Sequence, residues 1–219
     1  MEKYILIDNK KFFYDELELY HGRKRINREI AFENLKIFNN HVKDTNIKYG
    51  LIFGTLLGAI RENNFIEHDE DTDIYILSEN KSEFIKLLPI LKEKGMQLAR
   101  INDTMLSLIR NNEYIDVYFF KKKILFPFTT IRILRTDFKL KASYLENSIM
   151  FNFLDINIPI PSNPQRVLKK LYGKNWRIPI VNKFAEPNTL KFFIFKCIPV
   201  LKNIRLNKNI ERKIKKIFY

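Results

Sequence analysis

Between residues 69 and 73 the chain reads Asp69-Glu70-Asp71-Thr72-Asp73 and runs directly into Ile74-Tyr75-Ile76-Leu77. Side chains alternate across a strand, so Asp71 and Asp73 share one face at its mouth. Asp69 has the same parity, whereas Glu70 and Thr72 are expected to point the other way. Two adjacent carboxylates repel, and a compact pair calls for a cation. Mg²⁺ takes one or two carboxylates and leaves room for water and substrate phosphates. The plainer alternative is a solvated acidic loop, but here the acidic cluster enters an apolar strand. Asp116 supplies a third carboxylate, inside Tyr114-Ile115-Asp116-Val117-Tyr118-Phe119-Phe120. Burying it costs several kcal/mol unless it is paired or bound to metal; an edge-strand Asp facing water is the other reading. Three carboxylates on two strands suffice for metal-assisted phosphoryl or nucleotidyl transfer.

Upstream lies Gly54-Thr55-Leu56-Leu57-Gly58-Ala59-Ile60-Arg61. Gly54 and Thr55 sit at an expected strand-to-helix junction, where backbone N–H groups favour phosphate and glycine admits close approach. Thr55 can donate a further hydrogen bond or simply cap the helix. Gly58 allows close packing or substrate approach. Arg61 has a guanidinium suited to bidentate phosphate contact, or to a surface pair with Glu62 or Glu67. His68 follows in the acidic turn. Tyr172 and Trp176 could stack on a base or sugar, against a simpler role in the core.

The elements that must position these residues follow from periodicity. Residues 3–14 suggest a hairpin about Asp8-Asn9-Lys10. Ala31, Leu35, Phe38 and Val42 make one apolar stripe, which predicts a helix over 27–44 with Asn27 as its cap. A short strand is expected over 49–53 and a helix over 56–61. The strand at 74–77 precedes a helix over 82–94 that Gly95 stops. Strands at 97–101, 105–110 and 114–120 follow, the last two joined by Asn111-Asn112. Further strands fall within 131–158, and a helix runs from about 165 to 172 after Pro161-Ser162-Asn163-Pro164. Helices interspersed with several consecutive strands indicate an α+β fold with a mixed sheet.

Composition narrows the function. The 219 residues are 46% hydrophobic and carry a net charge of +14, which excludes wholesale disorder. Residues 121–142 contribute +6 and residues 188–219 contribute +8, so the rest is neutral. Such segments suit nucleic acid, an anionic membrane surface or an anionic substrate, or merely form a solvated face. The single Cys197 excludes an internal disulfide framework and fits a reducing compartment. The short apolar run at the N-terminus is no signal-peptide core, and no 18-residue apolar run exists. A cytoplasmic protein is expected, peripheral at the inner membrane face if its tail binds lipid. The tail mixes lysines with Leu190, Phe192, Phe193 and Ile194, a pattern suited to an interfacial helix.

The stretch from Gly54 to Ile74 resembles the signature of the LicD/fukutin family, G-T-L-L-G-A-x-R followed by a turn and W-D-D-D-x-D-[IV]. Asp116 and its neighbours resemble that family's later Asp strand. Tyr172-Gly173-Lys174-Asn175-Trp176-Arg177-Ile178-Pro179 resembles its Y-G-x-x-W-x-x-P pattern. His68 stands in place of Trp, Glu70 in place of Asp, and Asn64 in place of a turn Gly; Asn tolerates positive φ. The resemblance implies a nucleotidyltransferase-like core akin to that of polymerase β. It further implies transfer of a phospho-alcohol, such as phosphocholine or ribitol phosphate, from a CDP-linked donor to a sugar hydroxyl of a glycan or glycolipid. Mg²⁺ or Mn²⁺ would be held by Asp71, Asp73 and Asp116, with Gly54, Thr55, Gly58, Arg61 and His68 toward the donor. The corresponding organisation is an N-terminal extension (1–26), a catalytic domain (27–187) and a basic helical tail (188–219). Two rivals remain: a nucleotidyltransferase that attaches NMP from an NTP, and a non-enzymatic nucleic-acid-binding protein. No nucleic-acid motif is present, which counts against the second.

Overall fold

A computed structural model describes residues 2–17, 25–125, 129–135 and 138–179. One compact unit covers Met1–Ile178. The expected tail over 188–219 and Cys197 lie outside the described residues.

The hairpin expected near the N-terminus forms from β1 (Glu2–Ile7) and β2 (Lys10–Asp15), with Asp8 and Asn9 both at positive φ in its turn. The stripe on α1 (Arg28–Val42) is buried, and the Asn27 side chain accepts from the Ile30 N–H at 3.2 Å, the expected cap. β3 (Tyr49–Leu51) is shorter than expected. α2 (Phe53–Glu62) begins three residues before the expected start and takes in Gly54. α2 ends on Asn63 at φ 47°, so the left-handed residue is Asn63 rather than Asn64. β4 (Thr72–Leu77) is wholly buried.

The helix expected over 82–94 is instead two pieces, α3 (Lys81–Ile85) and α4 (Leu88–Glu93), preceded by a 3-10 turn over Ser78–Asn80. Pro89 explains the break, since it lacks an N–H and is tolerated only in a helix's first turn. Phe84, Leu88 and Leu91 still face inward, and Gly95 at φ 83° follows as the stop. β5 (Gln97–Ile101), β6 (Met105–Arg110) and β7 (Glu113–Leu125) come next, with Asn111 and Asn112 at positive φ in the turn between the last two. β8 (Thr129–Arg135), β9 (Phe138–Lys141), α5 (Ala142–Glu146), β10 (Ile149–Phe153), β11 (Ile156–Ile160) and α6 (Pro164–Tyr172) complete the unit. Asn163 caps α6, with Pro164 in its first turn.

The main sheet runs in the order β3-β4-β7-β6-β5, with β8 and β9 extending from the far end of β7. β4 and β7 are parallel and the other neighbours antiparallel, so the sheet is mixed. Its register brings Asp73 opposite Asp116, and Asp116 opposite Ser107. β5 carries a bulge: Leu98 pairs with Leu108, but Arg100 pairs with Ser107. The extra residue, Ala99, brings Arg100 onto the face of Ser107 and Asp116. One row of polar side chains therefore crosses four strands. β7 to β9 are tied down by Arg132, 2% exposed, which donates to Glu79 at 2.6 Å and to Glu146 at 2.6 Å.

Candidate active site

The polar row opens into a cavity of about 600 Å³. Asp69, Glu70, Asp71, Asp73 and Asp116 line it, along with Phe53, Gly54, Tyr114, Tyr118 and Tyr172. Among the described residues at its wall, Arg100 is the one cation. Glu70 turns inward, contrary to the alternation argument, because the strand begins only at Thr72 and period-2 geometry does not extend back to it.

Asp73 is 5% exposed and accepts from the Gly54 N–H at 2.9 Å. The first turn of α2 thus faces a carboxylate of the chain itself, with Gly54 at the cavity wall. Thr55 is fully buried, and its hydroxyl accepts from the Asp73 N–H at 2.8 Å. Thr55 therefore holds the strand mouth against α2 and does not line the cavity. A Cβ at Gly54 would meet the Asp69 carboxylate, which would have to move. Gly58 is forced by backbone, since a Cβ there would overlap the Asn64 carbonyl oxygen, so its role is the packing of α2 on the following turn. Arg61 donates to the neighbouring Glu62 and stands outside the cavity wall. His68 is exposed and likewise outside that wall. Trp176 is buried in the core beneath the Arg177 guanidinium, whereas Tyr172 reaches the cavity.

Asp116 is paired, as its burial demands. Arg100 Nη2 donates to Oδ2 at 3.0 Å, the Ser107 hydroxyl donates to Oδ1, and the Tyr118 hydroxyl donates to Oδ2 at 3.3 Å. Arg100 Nε also donates to Ser107 Oγ at 2.8 Å. Sequence reasoning missed Arg100, Ser107 and Tyr118. A signal existed for Tyr118, two residues from Asp116 and so on its face; none existed for Arg100, which depends on the bulge.

Charge density sets the electrostatics. Burial, then repulsion from Asp116, Asp69 and Glu70, pushes the Asp71 carboxyl up to about 8. Burial, then the Glu70 charge, pushes Asp69 up to about 6. Asp73 is raised well above the carboxylate range by burial and then by Asp71, Asp69 and Asp116. Asp116 is raised by burial against the opposing pull of Ser107, Arg100 and Tyr118. Asp69 Oδ2 is buried with no hydrogen-bond partner among the described residues.

Among the described residues no three Asp, Glu, His or Cys side chains form a ready-made metal site. The donor set is nonetheless one a hard divalent cation fits. Asp71 and Asp73 are two oxygen donors made costly by burial and mutual repulsion, and an orphaned carboxylate oxygen lies beside them. Mg²⁺ needs only one or two carboxylates when substrate phosphates and water complete its shell.

A mixed α+β sheet with an Asp-x-Asp pair at the mouth of one strand and a third Asp on the parallel neighbour, all facing one cavity, defines a nucleotidyltransferase-like core. The family model described as LicD/FKTN/FKRP, nucleotidyltransferase domain, matches residues 46–163. The chain belongs to that family. It is 27% identical over 171 residues to the ribitol-5-phosphate transferase FKTN of Mus musculus, covering 74% of this chain and 37% of that protein. It is 33% identical over 104 residues to an uncharacterized protein of Rickettsia typhi, covering 46% of this chain and 33% of that one. The chain thus spans about a third of the length of these curated relatives. A lincosamide antibiotic adenylyltransferase aligns in structure over 83% of this chain and 99% of its own, with a TM-score of 0.45 and 16% identity.

Proposed function

We propose that this chain transfers a phospho-alcohol group from a CDP-linked donor to a sugar hydroxyl of a glycan. The observation that carries the reading is the Asp73–Asp116 register, which joins two carboxylates to Asp71 and Arg100 at one cavity in a member of this family. Asp71 and Asp73 would hold Mg²⁺ or Mn²⁺. When bound, that ion neutralises charge on the donor diphosphate and on the departing CMP. Arg100 has guanidinium N–H groups beyond those given to Asp116 and Ser107, and takes a donor phosphate oxygen in the role expected of Arg61. Asp116, oriented by Arg100, Ser107 and Tyr118, accepts the proton of the acceptor hydroxyl as general base. Tyr172 and Tyr114 offer flat faces for the base or sugar at the cavity wall.

A donor comparison tests the proposal. CDP-ribitol, CDP-glycerol and CDP-choline, each with Mg²⁺, are expected to raise the melting temperature and to yield CMP when acceptor glycan is present. The second reading, NMP transfer from an NTP, draws on the nucleotidyltransferase domain of the family description. It requires stabilisation by NTPs and release of pyrophosphate. Stabilisation by NTPs alone would replace the first reading with the second.

A further inference from the structure

The N-terminal hairpin lies by one face against the body of the chain. Ile5, Ile7, Phe12 and Tyr14 are partly buried against the core. Lys92 of α4 donates to the Phe13 carbonyl oxygen at 3.3 Å and sits 5.2 Å from the Phe12 ring centroid, and Lys86 pairs with Asp8 at 2.8 Å. From this anchorage the chain leaving β2 reaches the outer edge of β5, the last strand of the main sheet. There the Leu17 N–H donates to the Ala99 carbonyl oxygen at 3.0 Å. Ala99 is the extra residue of the β5 bulge, and its side chain is fully buried in a cluster with Tyr114 and Ile109. The extra residue is therefore held twice, by its methyl group inside the fold and by its carbonyl at the strand edge.

We propose that the hairpin is a positioning element of the active site: the Leu17 N–H, bonded to the Ala99 carbonyl, holds the bulge that keeps the Arg100 guanidinium in the cavity. An edge strand is paired on one side only, so its bulge rests on β6 alone unless the outer side is also fixed. A strand that keeps Ala99 but pairs without the bulge carries Arg100 off the face of Ser107 and Asp116. The bonds from Arg100 Nε to Ser107 and from Nη2 to Asp116 then break together. Leu17 acts through its backbone, since its side chain is 37% exposed and the N–H makes the contact. The part Arg100 plays toward a donor phosphate rests on the function proposed above; the place of its guanidinium does not.

Solvent exchange of arginine Nε–H groups, followed by NMR on the full-length chain with isotope-labelled arginine and no donor, reads that place directly. Arg100→Lys identifies the Arg100 signal. The Arg132 Nε–H, which donates to Glu146 at 3.0 Å and is identified by Glu146→Gln, is the internal reference. Leu17→Pro removes the donor at the strand edge. The net worth of one hydrogen bond predicts that Arg100 Nε–H then exchanges roughly fivefold faster, while Arg132 Nε–H keeps its rate. Leu17→Ala keeps the N–H and should leave both rates within about twofold of wild type. Phe12→Ala loosens the hairpin with the Leu17 N–H intact and should speed Arg100 exchange alone. In turnover, Leu17→Pro should slow the wild type and add nothing in the Arg100→Lys background, because both changes act through one guanidinium. Absence of turnover with every CDP-linked donor would count against the proposed function and leave the exchange result standing. Four results overturn the inference. Arg100 exchange is unchanged in both Leu17→Pro and Phe12→Ala. Both arginine signals speed up together, which would make the hairpin a general stabiliser. Leu17→Ala matches Leu17→Pro, which would give the role to the side chain. The turnover losses of Leu17→Pro and Arg100→Lys multiply.

Discussion

Replacing Asp71 by Asn should remove a pH-dependent weakness of the metal-free protein. The Asp71 carboxyl stands at about 8 in the folded chain, against an ordinary value of 3.8. Between those limits the unfolded chain has released the proton and the native chain retains it. Unfolding stability therefore falls as pH rises through that window, by about 1.4 kcal/mol per pH unit for one group. From pH 5 to pH 7 Asp71 alone contributes a loss on the order of 3 kcal/mol, or roughly 6–12 °C in Tm for a domain of this size. Asp73 is raised in the same direction and adds to the slope. Differential scanning fluorimetry in EDTA across pH 5–8 should show the wild-type Tm declining steadily and the Asp71→Asn curve markedly flatter. Mg²⁺ should restore wild-type stability near pH 8, because ligation requires the charged carboxylates, and should do much less for the variant. Parallel wild-type and variant curves in EDTA would refute the claim that Asp71 carries this charge cost.

Asp73→Asn and Asp116→Asn should each lower turnover by about 10²-fold or more while the folded state survives, judged by steady-state rates beside far-UV circular dichroism. Arg100→Lys should reduce turnover at least about tenfold, since an ammonium cannot serve Asp116, Ser107 and a phosphate together. Arg61→Lys should stay near wild type, and the reverse ranking would return the phosphate role to Arg61. Gly58→Ala should cost about 1–3 kcal/mol in urea denaturation, because the new methyl meets backbone rather than a movable side chain.

The acidic pair was legible because Asp71 and Asp73 stand two apart where the chain enters an apolar strand, and both line the cavity. Asp116 was legible because a carboxylate in so apolar a run demands a partner. The partner was not legible. Arg100 lies in Gln97-Leu98-Ala99-Arg100-Ile101, where nothing local separates a cavity guanidinium from a solvated one. The roles expected of Gly54 and Thr55 rested on helix-terminus chemistry, but Asp73 had already taken the Gly54 N–H and drawn in the Thr55 hydroxyl. That contact joins residues 18 and 19 positions apart, which no local pattern encodes. The hairpin, α1 and α6 followed from turn chemistry, periodicity and capping residues. The helix over 82–94 failed at Pro89, whose breaking effect outweighs the apolar stripe around it.

The bulge on β5 makes the cavity's cation a matter of counting. With a regular ladder, residue 99 would oppose Ser107 and Arg100 would turn to the other face beside Leu106, away from Asp116. Deleting Ala99 would remove the extra residue and still leave Arg100 opposite Ser107, whereas a regular ladder that kept Ala99 would strand the guanidinium on the apolar side of the sheet. Arg100 is thus specified by register as much as by residue type. Comparison with relatives on this strand must follow register, since an arginine one position removed can occupy the same place in space and an aligned one can lie on the wrong side.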